Sequence, residues 1–405
     1  MRVSTALHRL LSPVITAALL VAPAASAQSA TAPASTPQKL TLPGTPFGVV
    51  TSPDGRFAFA SLSGPTQGIA VVERRVDGPH LLRVVPTAGG AFGLAVSRDG
   101  RTLLAAVQPQ GVAFIDAHKA ESSDADPVLG YVSLGDDAGA IEVHFSKDER
   151  LVFSSEENVE KIAVIDVEKA LKSDFGASSV VGEVPVEQLP VGLAVSPNGR
   201  YLYVTSEEAD AGTPGYDPTV CNIPAGSGTR PGAQGTITVI DIRRAGVDPA
   251  TSIVSRAYAG CVPVRIVLSP GGEVAWVSQR AANALGAFST ARLLSDPEHA
   301  LISATPVGVS PVGVQVFAGG LLVAVANSNR FADDPGTVSI VDATRALLGR
   351  KSAVLATLNV GVFPREWALS PLGDKLYLTE FRSSTLDVFD TAGLIHDILL
   401  GKITP

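Results

Sequence analysis

The stretch PVGLAVSPNGRYLYVT at residues 190–205 constrains this chain more than any other, because it recurs in recognisable form at six further places. Residues 191–195 are a short apolar run, Pro197, Asn198 and Gly199 form a turn, and residues 201–205 are a second run rich in β-formers. Two such runs around a Pro and Gly turn predict a hairpin. Pro presets the first corner of the turn, and Gly accepts backbone angles that other residues resist. A third run, TITVIDI at 236–242, alternates polar and branched side chains as a half-buried strand does, and a weaker fourth lies near 253–258.

The copies begin at Pro46, Ala91, Ala140, Pro190, Pro263, Pro311 and Pro364, each with a small residue or Pro, then an S-P-x-G-like turn, then a V-x-D ending. Seven four-stranded units of this kind predict an all-β chain folded as a seven-bladed β-propeller of four-stranded blades. A closed ring leaves no unpaired sheet edge. Each copy is preceded by an outer strand, and residues 39–42, KLTL, hold that place before the first copy. An N-terminal strand should therefore complete blade seven and close the ring.

Residues 1–27 read as a secretory signal, with Arg2 and Arg9 beside an apolar core and a small-residue cleavage site at Ala25, Ser26 and Ala27. The core is short and carries Pro13 and Pro23, which disfavours a membrane anchor, and no span is expected after cleavage. The expectation is an exported protein, periplasmic or extracellular. Loss of two arginines and no acid takes the formal charge from −8 to −10. An acidic chain is a poor partner for nucleic acid, which needs a basic face. Residues 28–38 lack large apolar side chains and read as a disordered leader, and 39–405 as one propeller domain.

Short helical turns are expected between strands three and four, as in DVEKALKSD, STARLLSDPEH and DATRALLGRK, with a terminal helix from Thr391. The links between strands two and three share one face of the disc with the links into the next blade. Blade four carries a Gly- and Pro-rich insertion there, residues 206–235, and blade six a smaller one at 327–336. Long loops on a rigid scaffold are commonly functional. The only two cysteines, Cys221 in the insertion and Cys261 on the link into blade five, lie on that same face. In an exported chain an even pair argues for a disulfide that holds the insertion over the ring.

At the third residue of the repeat, four blades have Gly, and the other three have Glu142, Arg265 and Glu366. These begin the innermost strands and should ring the channel mouth, with His144 pointing the same way as Glu142. Such a set can hold a polar ligand or cation, or form a salt-bridge cluster in a polar hole. A second ring is expected from the residue after each second strand, Glu156, Ser206, Gln279, Asn327 and Glu380, with Glu157, Glu207, Arg280, Asn329, Arg330 and Arg382 close behind. Oxygen-rich sets suit a hard cation such as calcium, and solvated loop ends are the plain alternative. No cofactor motif is evident: HExxH spacing, a G-x-S-x-G elbow, a Gly-rich phosphate loop and CxxCH are all missing.

Tyr203, Val204, Thr205 and Ser206, with the S-P-x-G turn and V-I-D third strand around them, resemble the signature of the YVTN-type propeller family. That resemblance covers nearly the whole exported chain and implies a seven-bladed propeller, usually exported, and often of unassigned activity or serving as a binding surface. PREWALSPLGDKLYLT from Pro364 and the SNR at 328–330 are also similar to lactonase-type propellers related to 6-phosphogluconolactonase, whose polar channel residues Arg365, Glu366, Glu142 and His144 would echo. Three functions follow as expectations. The first is a monomeric binding protein whose insertion face holds a small polar ligand or a protein partner. The second is a lactonase-type hydrolase or lyase, with Glu366 and Glu142 as acid and base, or metal ligands, assisted by His144 and Arg265. The third is an accessory propeller in a periplasmic redox pathway.

Overall fold

The computed structural model describes residues 36–122, 125–209, 221 and 233–405. The signal at 1–27, most of the leader and most of the blade-four insertion lie outside the described residues. The remainder forms seven four-stranded antiparallel sheets, and the innermost strands touch in the order one to seven and back to one. The expected closure is present. Gln38–Thr41, which starts one residue before Lys39, pairs with Thr385–Asp390 as the outer strand of blade seven.

The repeat motif works through its small polar side chains. In the hairpin turns of blades one to four, the Ser hydroxyl that opens the turn accepts from the first N–H of strand two, as Ser52 does from Phe57 at 3.0 Å. The same hydroxyl donates to the Asp or Asn two residues on, as Ser196 does to Asn198 at 2.7 Å. Gly199 takes φ +74°, which a side chain would resist. The Asp that ends the third strand caps the following helical turn. Asp166, Asp241, Asp342 and Asp390 each accept an N–H from three residues further on. The helices Val167–Lys172, Thr290–Ser295, Ala343–Leu347 and Thr391–Leu399 lie where the sequence places them, between strands three and four or at the end of the chain.

Apolar burial lies between blades. Phe59 and Val71 of blade one pack with Leu103 and Ala105 of blade two, and Trp276 of blade five packs with Val323 and Val325 of blade six. Sheets covered on both faces explain why the second and third strands read as nearly continuous apolar runs. Each large side chain buried this way contributes about 1.5–3 kcal/mol, and the clusters recur around the ring.

The innermost strands set up the site. Each has an irregular pairing just after its first residue, as between Pro46 and Val49 or Pro364 and Trp367. Side-chain hydroxyls on strand two replace the missing ladder bonds. The N–H groups of Gly48, Glu142, Arg265 and Glu366 donate to Ser61, Ser155, Ser278 and Thr379. Thr205, Ser278 and Thr379 in turn donate to backbone carbonyls of Val264, Val312 and Phe47 in the next blade. The repeated Ser or Thr thus stitches one blade to the next. Glycine at the third position permits this approach: a Cβ on Gly313 would lie 2.1 Å from the Arg365 carbonyl oxygen.

Candidate functional site

Three layers of side chains meet on the axis, read from the repeat positions. The second residues of six copies, Phe47, Phe92, Ile141, Val191, Val264 and Val312, form one apolar cluster with Phe363 and Phe381. A cluster drawn from so many blades can form only at the centre of a ring. The seventh copy places Arg365 at that position instead. Its guanidinium lies 3.6 Å from the centroid of the Phe47 ring, 5.4 Å from that of Phe363 and 5.6 Å from that of Phe381.

The third residues form the next layer, and here the structure brings the sequence candidates together. Arg265 of blade five contacts Glu142 of blade three at 3.0 Å and Glu366 of blade seven at 2.5 Å, so it spans the axis. A further N–H donates to the Val191 carbonyl at 2.6 Å. All three side chains are buried, at 8%, 11% and 14% exposure for Arg265, Glu142 and Glu366. Burial outweighs the neighbouring guanidiniums and lifts the Glu142 carboxyl above its ordinary range. For Arg265, burial is overcome by Glu366 and Glu142, which hold it more firmly protonated. Two carboxylates sharing one guanidinium carry one negative charge in excess when both are ionised, and the upward shift of Glu142 reduces that excess.

His144 lies two residues along the strand from Glu142, half-buried, with no hydrogen-bond partner among the described residues. Burial, and then the charge of Arg265, depress its imidazole to about 4. It is therefore neutral at pH 7. It is not bonded to either carboxylate, so no acid–base pair is assembled around it.

The second expected ring is placed differently. Glu156, Asn327 and Glu380 do not reach the mouth. They pair with Ala140, Pro311 and Pro364, the first residues of their blades, and their side chains lie across strands three and four of their own sheets. Asn327 donates to Thr337 and Ser339 at 3.0 Å. Glu380 accepts from Gly361, Thr385 and Lys39. Both oxygens of Glu156 are buried without a partner, and burial followed by the charge of Glu183 pushes this carboxyl up to about 7. The physical reason is strand alternation: the following residue is the one directed toward the axis.

Those following residues build the rim. Glu207 and Arg280 form a buried two-pronged ion pair at 2.8 and 2.5 Å. Arg330 and Arg382 come from the loops of blades six and seven, and lie 5.8 and 5.6 Å from the Phe363 ring. Glu157 is half-buried nearby, and burial and Glu207 raise its carboxyl. The aromatic floor was not singled out from sequence, although the aligned second position carries the signal: six apolar residues and then Arg365. Cys221 and Cys261 are joined as expected, with Cα atoms 5.4 Å apart and a sequence separation of 40. The disulfide packs with Ala233 and Val262, and the Val262 carbonyl accepts from the Arg280 N–H, so the insertion is tied beside the rim.

Among the described residues, no three His, Cys, Asp or Glu side chains converge as a metal set, and no helix is long and apolar enough to cross a membrane. No protein-family model and no curated protein matches the sequence. Solved structures do. The chain is similar to a structure of Kuenenia stuttgartiensis hydrazine synthase, with 18% identity over 88% of this chain and 97% of that one, and a TM-score of 0.63. It is also similar to the β-propeller domain of Myceliophteria thermophila Cps50 (Swd1), with 14% identity over 87% and 98% of the two chains and a TM-score of 0.61. At these identities the likeness is one of fold, and a propeller carries many unrelated functions.

Proposed function

We propose that this chain is an exported binding propeller of the YVTN-repeat type, which uses the insertion face around the closed axis to hold a small polar ligand or a partner. The observation that carries this reading is the pairing of Arg265 with both Glu142 and Glu366 across the axis. A lactonase-type reaction needs a carboxylate free to take or give a proton at a substrate, and both candidates here are engaged with one guanidinium. The rim above them has charged and aromatic groups within reach of solvent, as a recognition surface does. The disulfide supports an oxidising compartment, in keeping with the secretory signal read at 1–27.

The test is thermal unfolding of the protein with a panel of lactones, organic acids, calcium, magnesium, zinc and EDTA, with lactone hydrolysis followed in parallel. A ligand specific for the native state raises the midpoint. Binding without turnover is expected, and Glu142→Gln should lower the midpoint with or without ligand. Hydrolysis abolished by Glu142→Gln and Glu366→Gln at unchanged stability would establish the lactonase reading instead.

A further inference from the structure

Arg330 and Arg365 differ from the other arginines of the rim. Arg280 is paired with Glu207, and Arg382 with Asp333 at 2.9 Å, but neither Arg330 nor Arg365 has an ion pair or donates a hydrogen bond among the described residues. Both face the same ring: their guanidiniums lie 5.8 and 5.4 Å from the centroid of Phe363, with that of Arg382 at 5.6 Å. Three like charges around one phenyl ring repel one another. Burial, and then Arg280, lowers the pKa of Arg330. Burial, and then Arg265, lowers that of Arg365 to about 9, which leaves it charged at neutral pH. The Nε of Arg365 is buried without a partner. Stacking on an aromatic face occupies the flat side of a guanidinium and leaves the N–H edge free.

We infer that the mouth is a site for a small oxyanion ligand, with the free N–H edges of Arg330 and Arg365 as its donors and Phe47 and Phe363 as the shelf that orients them. This rests on the reading of the insertion face as a binding surface, and it names the ligand class. A carboxylate or a phosphate group presents oxygens that match two N–H groups of one guanidinium. A molecule with two such groups engages both arginines and relieves their repulsion. Glu157, a carboxylate with no ion pair among the described residues whose charge acts on both arginines, disfavours ligands that bring negative charge to its side of the mouth.

Calorimetric titration of the whole protein with citrate, succinate and inorganic phosphate tests this, with spermidine and a neutral lactone as controls for charge. Citrate or succinate binding more tightly than inorganic phosphate identifies an organic acid, and the reverse order identifies a phosphate group; either supports the inference. Arg365→Gln and Arg330→Gln should each weaken that binding by about tenfold or more. Arg365→Gln should not lower the unfolding midpoint of the free protein, because it removes an unpaired cation, and this keeps loss of binding distinct from loss of fold. Anion binding unchanged in both variants would overturn the inference together with the placement of the site. Binding of spermidine or the lactone alone, lost in Arg365→Gln, would overturn the oxyanion class and leave the mouth as a binding surface. No binding by any of the three anions would overturn the inference outright.

Discussion

A single residue shows how the repeat and its exceptions divide the labour. Glu156 pairs with Ala140 at the register where blade one has Leu62 opposite Pro46 and blade two has Val107 opposite Ala91. It is fully buried with neither oxygen bonded, and its carboxyl is raised to about 7. A carboxyl raised in the folded state binds its proton more readily than in the unfolded chain. Its contribution is therefore most favourable below the ordinary carboxyl value and is lost as pH rises through about 7. Glu156→Leu should then stabilise the protein by about 1–3 kcal/mol at pH 8 and by progressively less toward pH 4.5. Urea unfolding at several pH values measures this, and an equal effect at every pH would contradict it.

The closing strand argues the same way at the scale of an element. Lys39 on Gln38–Thr41 contacts Asp387 at 2.7 Å and Glu380 at 3.2 Å, two carboxylates exposed by 0% and 1%. Burial works against the lysine's charge, but the hydrogen bond and charge of Asp387 prevail and raise its pKa. Lys39→Met would leave two acids confined together. A loss of about 1–3 kcal/mol is expected at neutral pH, modest because the lysine is half exposed, with recovery in acid as the acids are protonated. Hydrogen exchange of Gln38–Thr41 should rise in this variant before that of the inner strands, and uniform loss of protection would argue against a local latch. Such elements were legible in the sequence because they follow from periodicity and turn chemistry: KLTL, the S-P-x-G turns and the V-x-D caps all act within a few residues. The site was only partly legible. Glu142, Arg265 and Glu366 were placed by alignment of the copies, but whether they would bind a ligand or each other depends on the reach of Arg265 across the ring. Glu156, Asn327 and Glu380 were misplaced because one step along a strand reverses the side chain. The aromatic shelf was missed because Phe363 precedes the repeat unit, whereas Phe47 lies inside it at a position that reads as ordinary apolar filling.

For the molecule as a whole, a closed ring forces seven inner strands to deliver side chains to one axis, and most copies deliver glycine and apolar groups such as Phe47, Ile141 and Val191. The four charges that remain, Glu142, Arg265, Arg365 and Glu366, must offset one another or serve a ligand. The structure joins Glu142 and Glu366 around Arg265 and, among the described residues, leaves Arg330 and Arg365 without an ion pair above them. Function on this reading belongs to the rim, and the inner charges belong to the fold. The most direct measurement is a double-mutant cycle in urea unfolding for Arg265→Met, Glu366→Gln and the pair. Arg265→Met alone should cost about 3–5 kcal/mol, because it strands two buried carboxylates. Adding Glu366→Gln should recover part of that loss, with a coupling energy of about 1–3 kcal/mol. Additivity within about 0.5 kcal/mol, with little effect of either change alone, would mean that the inner charges do not hold the ring together and are free for chemistry.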